Sequence, residues 1–90
     1  MSVARLRFPA THPAFAGHFP GAPTVPGALL LAAALDALGL ARAGLEIASA
    51  KFLHPVGPDT EVEVRRLGDR IELRAQGRVV VTAQLKAASA

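Results

Sequence analysis

HPAFAGHFPGAPTVPG, residues 12 to 27, is the stretch whose reading decides the fold. Pro13, Pro20, Pro23 and Pro26, with Gly17, Gly21 and Gly27 between them, exclude a regular helix or a central strand, because proline lacks the N–H that either ladder needs. The segment is therefore a long, shaped loop. Phe15, Phe19 and Val25 give it apolar surface to pack, so an ordered and functional loop is expected rather than a disordered one.

On the C-terminal side of this loop, Pro26 sits where a helix should begin, since its fixed φ and missing N–H are tolerated at a first helical position. From Ala28 to Ala43 leucine and alanine dominate on all sides, Asp36 and Arg42 being the charges, and Gly44 reads as the stop signal. A helix that is apolar nearly all round is a buried one. Arg42 in its last turn suits the negative end of the helix dipole. On the N-terminal side, Val3 to Phe8 alternate apolar and basic as a half-buried strand does, and Pro9 ends it.

After the helix come Leu45 to Leu53, a break at Pro55 to Pro58, and then Thr60 to Arg66 in alternation. Gly68 and Asp69 signal a tight turn, Ile71 to Arg74 alternate again, Gln76 and Gly77 signal a second turn, and Val79 to Leu85 form a β-rich last strand. Lys86 to Ala90 are expected to fray. The pattern predicts an α+β domain over residues 1–90, an antiparallel sheet wrapped around one long central α-helix, because one apolar helix needs the cover that a curved sheet gives.

Composition narrows the classes. The chain has 90 residues, 51% of them hydrophobic and 19% charged, and no cysteine. A domain this short has a thin margin of stability, and neither disulfides nor thiolate metal sites can add to it, so a partner chain is the remaining device. The formal charge of +3 invites a nucleic-acid reading. Arg65, Arg66, Arg70, Arg74 and Arg78 are, however, interleaved with Glu61, Glu63, Asp69 and Glu72, and there is no Trp or Tyr to stack on bases, so a solvated mixed-charge face is expected. Were it to dock anything, an acidic protein would suit it as well as nucleic acid. MSVARLRFPATHP lacks a basic region followed by a long apolar run, so no secretory signal is expected. Residues 21–41 carry one charge but are diluted by Pro, Gly and Ala, so no membrane span is expected either. The absence of cysteine fits a cytoplasmic protein.

Three groups could carry chemistry. His18 is framed by Gly17 on one side and Phe19, Pro20 and Gly21 on the other. It is either a general base for a proton beside a thioester carbonyl or a loop histidine that satisfies a backbone carbonyl. Gly27 stands at a helix start, where N–H groups have no helical partner and can donate to a developing oxyanion; simple helix initiation is the alternative. Asp36 is a carboxylate on an apolar helix, and so is functional, paired with an arginine, or on an exposed stripe. His12 and His54 flank prolines and read as loop or strand-end residues. Three histidines without a His-x-x-x-His pair or cysteine give no metal site, and no cofactor motif is present.

GHFPGAPTVPGALLL, residues 17 to 31, resembles the motif of the β-hydroxyacyl-acyl-carrier-protein dehydratases of fatty-acid synthesis. KFLHPVGPD, residues 51 to 59, resembles their second stretch. The resemblance runs from His12 to Leu85 and implies a hot-dog fold and a dimer with two active sites at its interface. It also implies an acyl-thioester substrate on an acyl carrier protein or on coenzyme A. By position His18 would be the catalytic histidine, and the Gly27 N–H would hold the thioester carbonyl. Phe19 and the leucines of the helix would line the acyl tunnel, with Pro20, Gly21, Val25, Leu31 and Ala32 also beside the substrate. One position departs: the family has a Glu or Asp, supplied by the other subunit, where this chain has Ala32. Asp36 lies one turn further along the same helix face, displaced by about 6 Å.

Three functions follow as expectations. The first is a 3-hydroxyacyl-thioester dehydratase, impaired on its own by the missing acid. The second is a subunit that pairs with an intact dehydratase, and the third is a hot-dog thioesterase or acyl-thioester binding module, since one fold serves several thioester reactions.

Overall fold

The structure, a computed structural model, describes residues 2–15 and 24–88. Among the described residues, five strands form one antiparallel sheet: β1 (Ser2–Leu6), β2 (Leu45–Phe52), β3 (Val62–Leu67), β4 (Arg70–Ala75) and β5 (Arg78–Ala87), in the spatial order β1-β3-β4-β5-β2. One α-helix among the described residues, α1 (Gly27–Ala37), packs against the sheet, and a short 3-10 turn, Pro13–Phe15, follows β1.

Alternation builds the sheet. Val62 and Val64 of β3, Ile71 and Leu73 of β4, and Val81 and Leu85 of β5 point to the helix side and are buried. The residues between them point away: Glu63 lies opposite Arg74, and Arg65 opposite Glu72. A register shift between Leu73 and Arg74 lets the consecutive Val80 and Val81 both be buried, which strict alternation forbids. Gln76 and Gly77, both with positive φ (53° and 77°), make the tight β4 to β5 turn that such dihedrals require. The outward face interleaves its charges, with Arg74 bonded to Glu72 at 3.2 Å and Arg65 paired with Glu63.

The helix differs from the sequence reading in three ways. It ends at Ala37 rather than Ala43, because Gly39 adopts φ +66° and the backbone closes into a reversed cap: Leu40 N–H donates to Leu35 O (2.9 Å) and Gly39 N–H to Asp36 O (3.0 Å). Residues 38–44 are turns, so Arg42 lies beyond the helix and not in its last turn. Pro26 is the cap residue with extended backbone (ψ 136°) and Gly27 the first helical residue. Third, the helix is not buried all round. Leu30 and Ala34 are buried, whereas Ala28, Ala32, Asp36 and Ala37 are exposed, since the sheet covers one side of the helix only. At the other end of the chain, Lys86 and Ala87 belong to β5 instead of fraying, held by Ala88 N–H donating to Gly44 O at 2.7 Å.

One core cluster joins Leu30 and Ala34 of the helix to the inner faces of β3, β4 and β5, with Phe8, Val25, Leu40 and Val56 closing its ends. No helix among the described residues is long and apolar enough to cross a membrane.

Candidate functional site

The helix start and the segment after β2 meet at a cavity of about 450 Å³. Backbone hydrogen bonds fix both walls. Val25 N–H donates to Val56 O at 2.7 Å and draws the residues before α1 onto the post-β2 segment. Leu53 N–H (2.8 Å) and His54 N–H (3.3 Å) share one acceptor, Val80 O, and the chain bends there as it leaves the sheet. The volume suits a small ligand or part of a larger one.

Thr24, Val25, Gly27, Phe52, His54 and Val56 are prominent in the lining. Gly27 has a stereochemical reason to be glycine: a Cβ built there would lie 2.7 Å from Cε1 and 2.8 Å from Cζ of Phe52. The Phe52 ring thus covers the first turn of α1, and it is itself 53% exposed. First-turn N–H groups lack a carbonyl partner within the helix, so this end of α1 presents donors to the cavity wall. A largely apolar pocket with backbone donors at one end can hold a carbonyl whose oxygen gains charge, and little in it would solvate that charge otherwise. Because only the far edge of the Phe52 ring obstructs a new methyl, we expect Gly27→Ala to fold and to push the ring into the cavity. Thermal unfolding should move little while binding of an acyl thioester, followed by calorimetry, is lost.

Of the residues expected at a site, the structure brings Val25 and Gly27 together. His18, Phe19, Pro20 and Gly21 lie outside the described residues. Leu31 is half-buried against the core and Ala32 is exposed; neither lines this cavity. Asp36 is exposed at the far end of α1, in a separate depression of about 240 Å³ shared with Arg42. Nine residues from Gly27 along a helix is about 13 Å. Within one chain Asp36 therefore does not reach the Gly27 cavity, and no ion pair engages it among the described residues. No group of His, Asp and Glu among the described residues is placed to hold a metal ion.

Phe52 and His54 were not singled out from the sequence as site residues. Their signal was present in KFLHPVGPD, where an apolar strand runs into His-Pro, but only the fold shows that this segment faces the helix start.

Solved structures with this architecture are hot-dog proteins. The dehydratase heterocomplex ApeI:P from Xenorhabdus doucetiae superposes with a TM-score of 0.71 at 18% identity, covering 97% of this chain and 86% of that one. The TT0310 protein from Thermus thermophilus superposes with a TM-score of 0.60 at 20% identity, covering 97% and 82%. The fold class is thereby that of a hot-dog domain. The family model of the ApeI-like dehydratases (ApeI dehydratase) matches residues 1–86, and the chain belongs to that family.

Sequence relatives point the same way. The 3-hydroxyacyl-acyl-carrier-protein dehydratase FabZ of Haemophilus influenzae (strain PittEE) is 41% identical over 68 residues, 71% of this chain and 45% of the relative. FabZ of Chlamydia trachomatis serovar L2 is 36% identical over 87 residues, 82% of this chain and 51% of the relative. The chain thus spans about half the length of the curated relatives it matches.

Proposed function

We propose that this chain is a dehydratase-like hot-dog subunit that takes acyl thioesters, carried on an acyl carrier protein or on coenzyme A, in fatty-acid or related lipid or polyketide-type synthesis in the cytoplasm. The observation that carries the reading is the cavity at the start of α1, where Gly27 and Phe52 sit against each other directly downstream of Gly17, His18, Phe19, Pro20 and Gly21. In this reading the Gly27 N–H holds the thioester carbonyl. That polarises the carbonyl and acidifies the adjacent C–H, and His18 takes the proton as general base. Phe19, Pro20, Gly21 and Val25 shape the acyl path.

The test is hydration of crotonyl-N-acetylcysteamine by the purified protein. Turnover is expected, and His18→Ala should lower it by about 10²- to 10⁴-fold, the usual contribution of a positioned base. Turnover unchanged in His18→Ala overturns the assignment of the base. A parent protein that neither turns over nor binds the thioester overturns the whole reading.

A second reading is favoured by Ala32, which stands where the family resemblance implies a carboxylate from the neighbouring subunit. In that reading this chain contributes His18 and Gly27 to a heterodimer, and a related hot-dog subunit contributes the acid. The X. doucetiae protein to which the chain is similar in fold is described as a heterocomplex. Inactivity alone, with turnover on adding an acid-bearing dehydratase subunit, would favour the heterodimer. Bound acyl chains without turnover in either setting would leave a plain binding module.

In both readings a partner covers apolar surface that one chain leaves open. The helix stripe of Ala28 and Ala32 is exposed, as are Phe52 (53%) and Leu53 (46%) at the end of the edge strand β2.

A further inference from the structure

We infer that His54 is a catalytic acid of this chain, the group that protonates the departing hydroxyl in place of the carboxylate missing at Ala32. The inference rests on the proposed dehydratase reading. Its structural ground is that, of the described residues lining the Gly27 cavity, only His54 carries an ionisable side chain; the others are apolar apart from Thr24 with its hydroxyl. His54 is not there by accident of a floppy surface. Its N–H bonds to Val80 O at 3.3 Å beside that of Leu53 at 2.8 Å, and Pro55 follows with its fixed φ, so the backbone that carries the imidazole is held on both sides. The side chain is solvent-exposed, so it can exchange protons with water between turnovers.

The chemistry asks for such a group. In a β-elimination the Cα–H bond breaks and its proton goes to the base, His18 in the proposed reaction, while the electron pair becomes the new C=C bond. The C–O bond breaks with its electrons on oxygen, and the leaving hydroxyl takes a proton from the imidazolium of His54 to depart as water. The products are an enoyl thioester and water, His18 having gained one proton and His54 having lost one. Both histidines then reset through solvent. Neither Ala32 nor Asp36 lines the cavity, whereas His54 does, and an imidazolium is a competent proton donor to a leaving hydroxyl.

The experiment compares two substrates on the whole protein and on His54→Gln and His54→Asn. One is 3-hydroxybutyryl-N-acetylcysteamine, whose hydroxyl needs a proton to leave. The other is 3-acetoxybutyryl-N-acetylcysteamine, whose acetate leaves without one. The parent protein, alone, should turn over both. His54→Gln should lose about 10²- to 10⁴-fold in kcat on the hydroxy substrate with KM and thermal unfolding little changed, and should keep its rate on the acetoxy substrate.

Equal losses on both substrates would make His54 a structural or binding residue and overturn the inference. So would undiminished activity in both variants. A parent that binds the hydroxy substrate by calorimetry but does not turn it over overturns the role of His54 while the thioester reading stands; absence of binding as well removes both.

Discussion

Adding Ala32→Glu to the His54→Gln variant is expected to restore hydration of crotonyl-N-acetylcysteamine by about 10²- to 10⁴-fold, the range a positioned acid contributes. Ala32 is exposed on α1, so the larger side chain meets no core packing in the single chain. In a dimer of the kind the family resemblance implies, the new carboxylate would reach the neighbouring subunit's site and take over the proton that His54 no longer gives. The same substitution in the parent should gain far less, because one competent donor is enough for one leaving group. The measurement is the pair of rate ratios. A large gain in the parent would mean that the rest of the site is intact but that His54 is no acid, and the heterodimer reading would then lead. No gain in either background would mean that position 32 does not face the reacting atoms in the assembled protein.

The β3 to β5 meander was legible in the sequence because alternation and turn residues are local signals: Gly68, Asp69, Gln76 and Gly77 stand at the two turns, and the strands differ from the reading by one or two residues at their ends. The helix end was not. Gly39 and Gly44 are both glycines after apolar residues, and both have positive φ, so composition did not tell which one closes the helix. The answer lies in the hydrogen bonds of Gly39 and Leu40 back to Asp36 and Leu35, which are made in three dimensions. The buried-helix reading failed for a related reason. Periodicity counts apolar residues but does not say which chain covers them, and Ala28 and Ala32 lie on the side the sheet of this chain leaves open.

The site was half legible. Gly27 could be singled out as a helix start, yet the reason it is glycine, the Phe52 ring against its Cα, joins residues 25 positions apart. His54 stands in KFLHPVGPD, but nothing local in that stretch tells which part of the chain it faces. It became a candidate only when the post-β2 segment was seen to form the opposite wall of the Gly27 cavity.

The second large effect is expected at the edge of the sheet, where Ala50→Lys should convert a dimer to monomer in sedimentation velocity and lower the unfolding midpoint sharply. Among the described residues β2 pairs with β5 on one side only, so its other edge offers backbone groups to a further strand. Ala50 lies opposite Ala83 and Phe52 opposite Val81, which puts both on the helix side of the sheet, where β5 is buried. Yet Ala50 and Phe52 are exposed. An apolar strand end on the core side, beside an apolar helix stripe, is surface that a second hot-dog chain would cover. Natural sheets blunt open edges with charges and bulges, and β2 has a register shift at Ala48 and two outward charges, Glu46, paired with Lys86, and Lys51, which faces the opposite side from Ala50. A lysine at position 50 would instead put an unpaired ammonium into the covered region, at a cost of about 3 to 5 kcal/mol. For a domain of this size that is a large share of the stability, about 5 to 15 kcal/mol in ordinary proteins, and dimer and fold should therefore be lost together as the protein is diluted. The control Lys51→Ala, on the outward face, should leave the sedimentation coefficient unchanged. If the parent sediments as a monomer and Ala50→Lys leaves its unfolding midpoint in place, then Lys51 and the irregularity at Ala48 are sufficient to protect the edge, and the apolar helix stripe is not a subunit contact of this chain with itself.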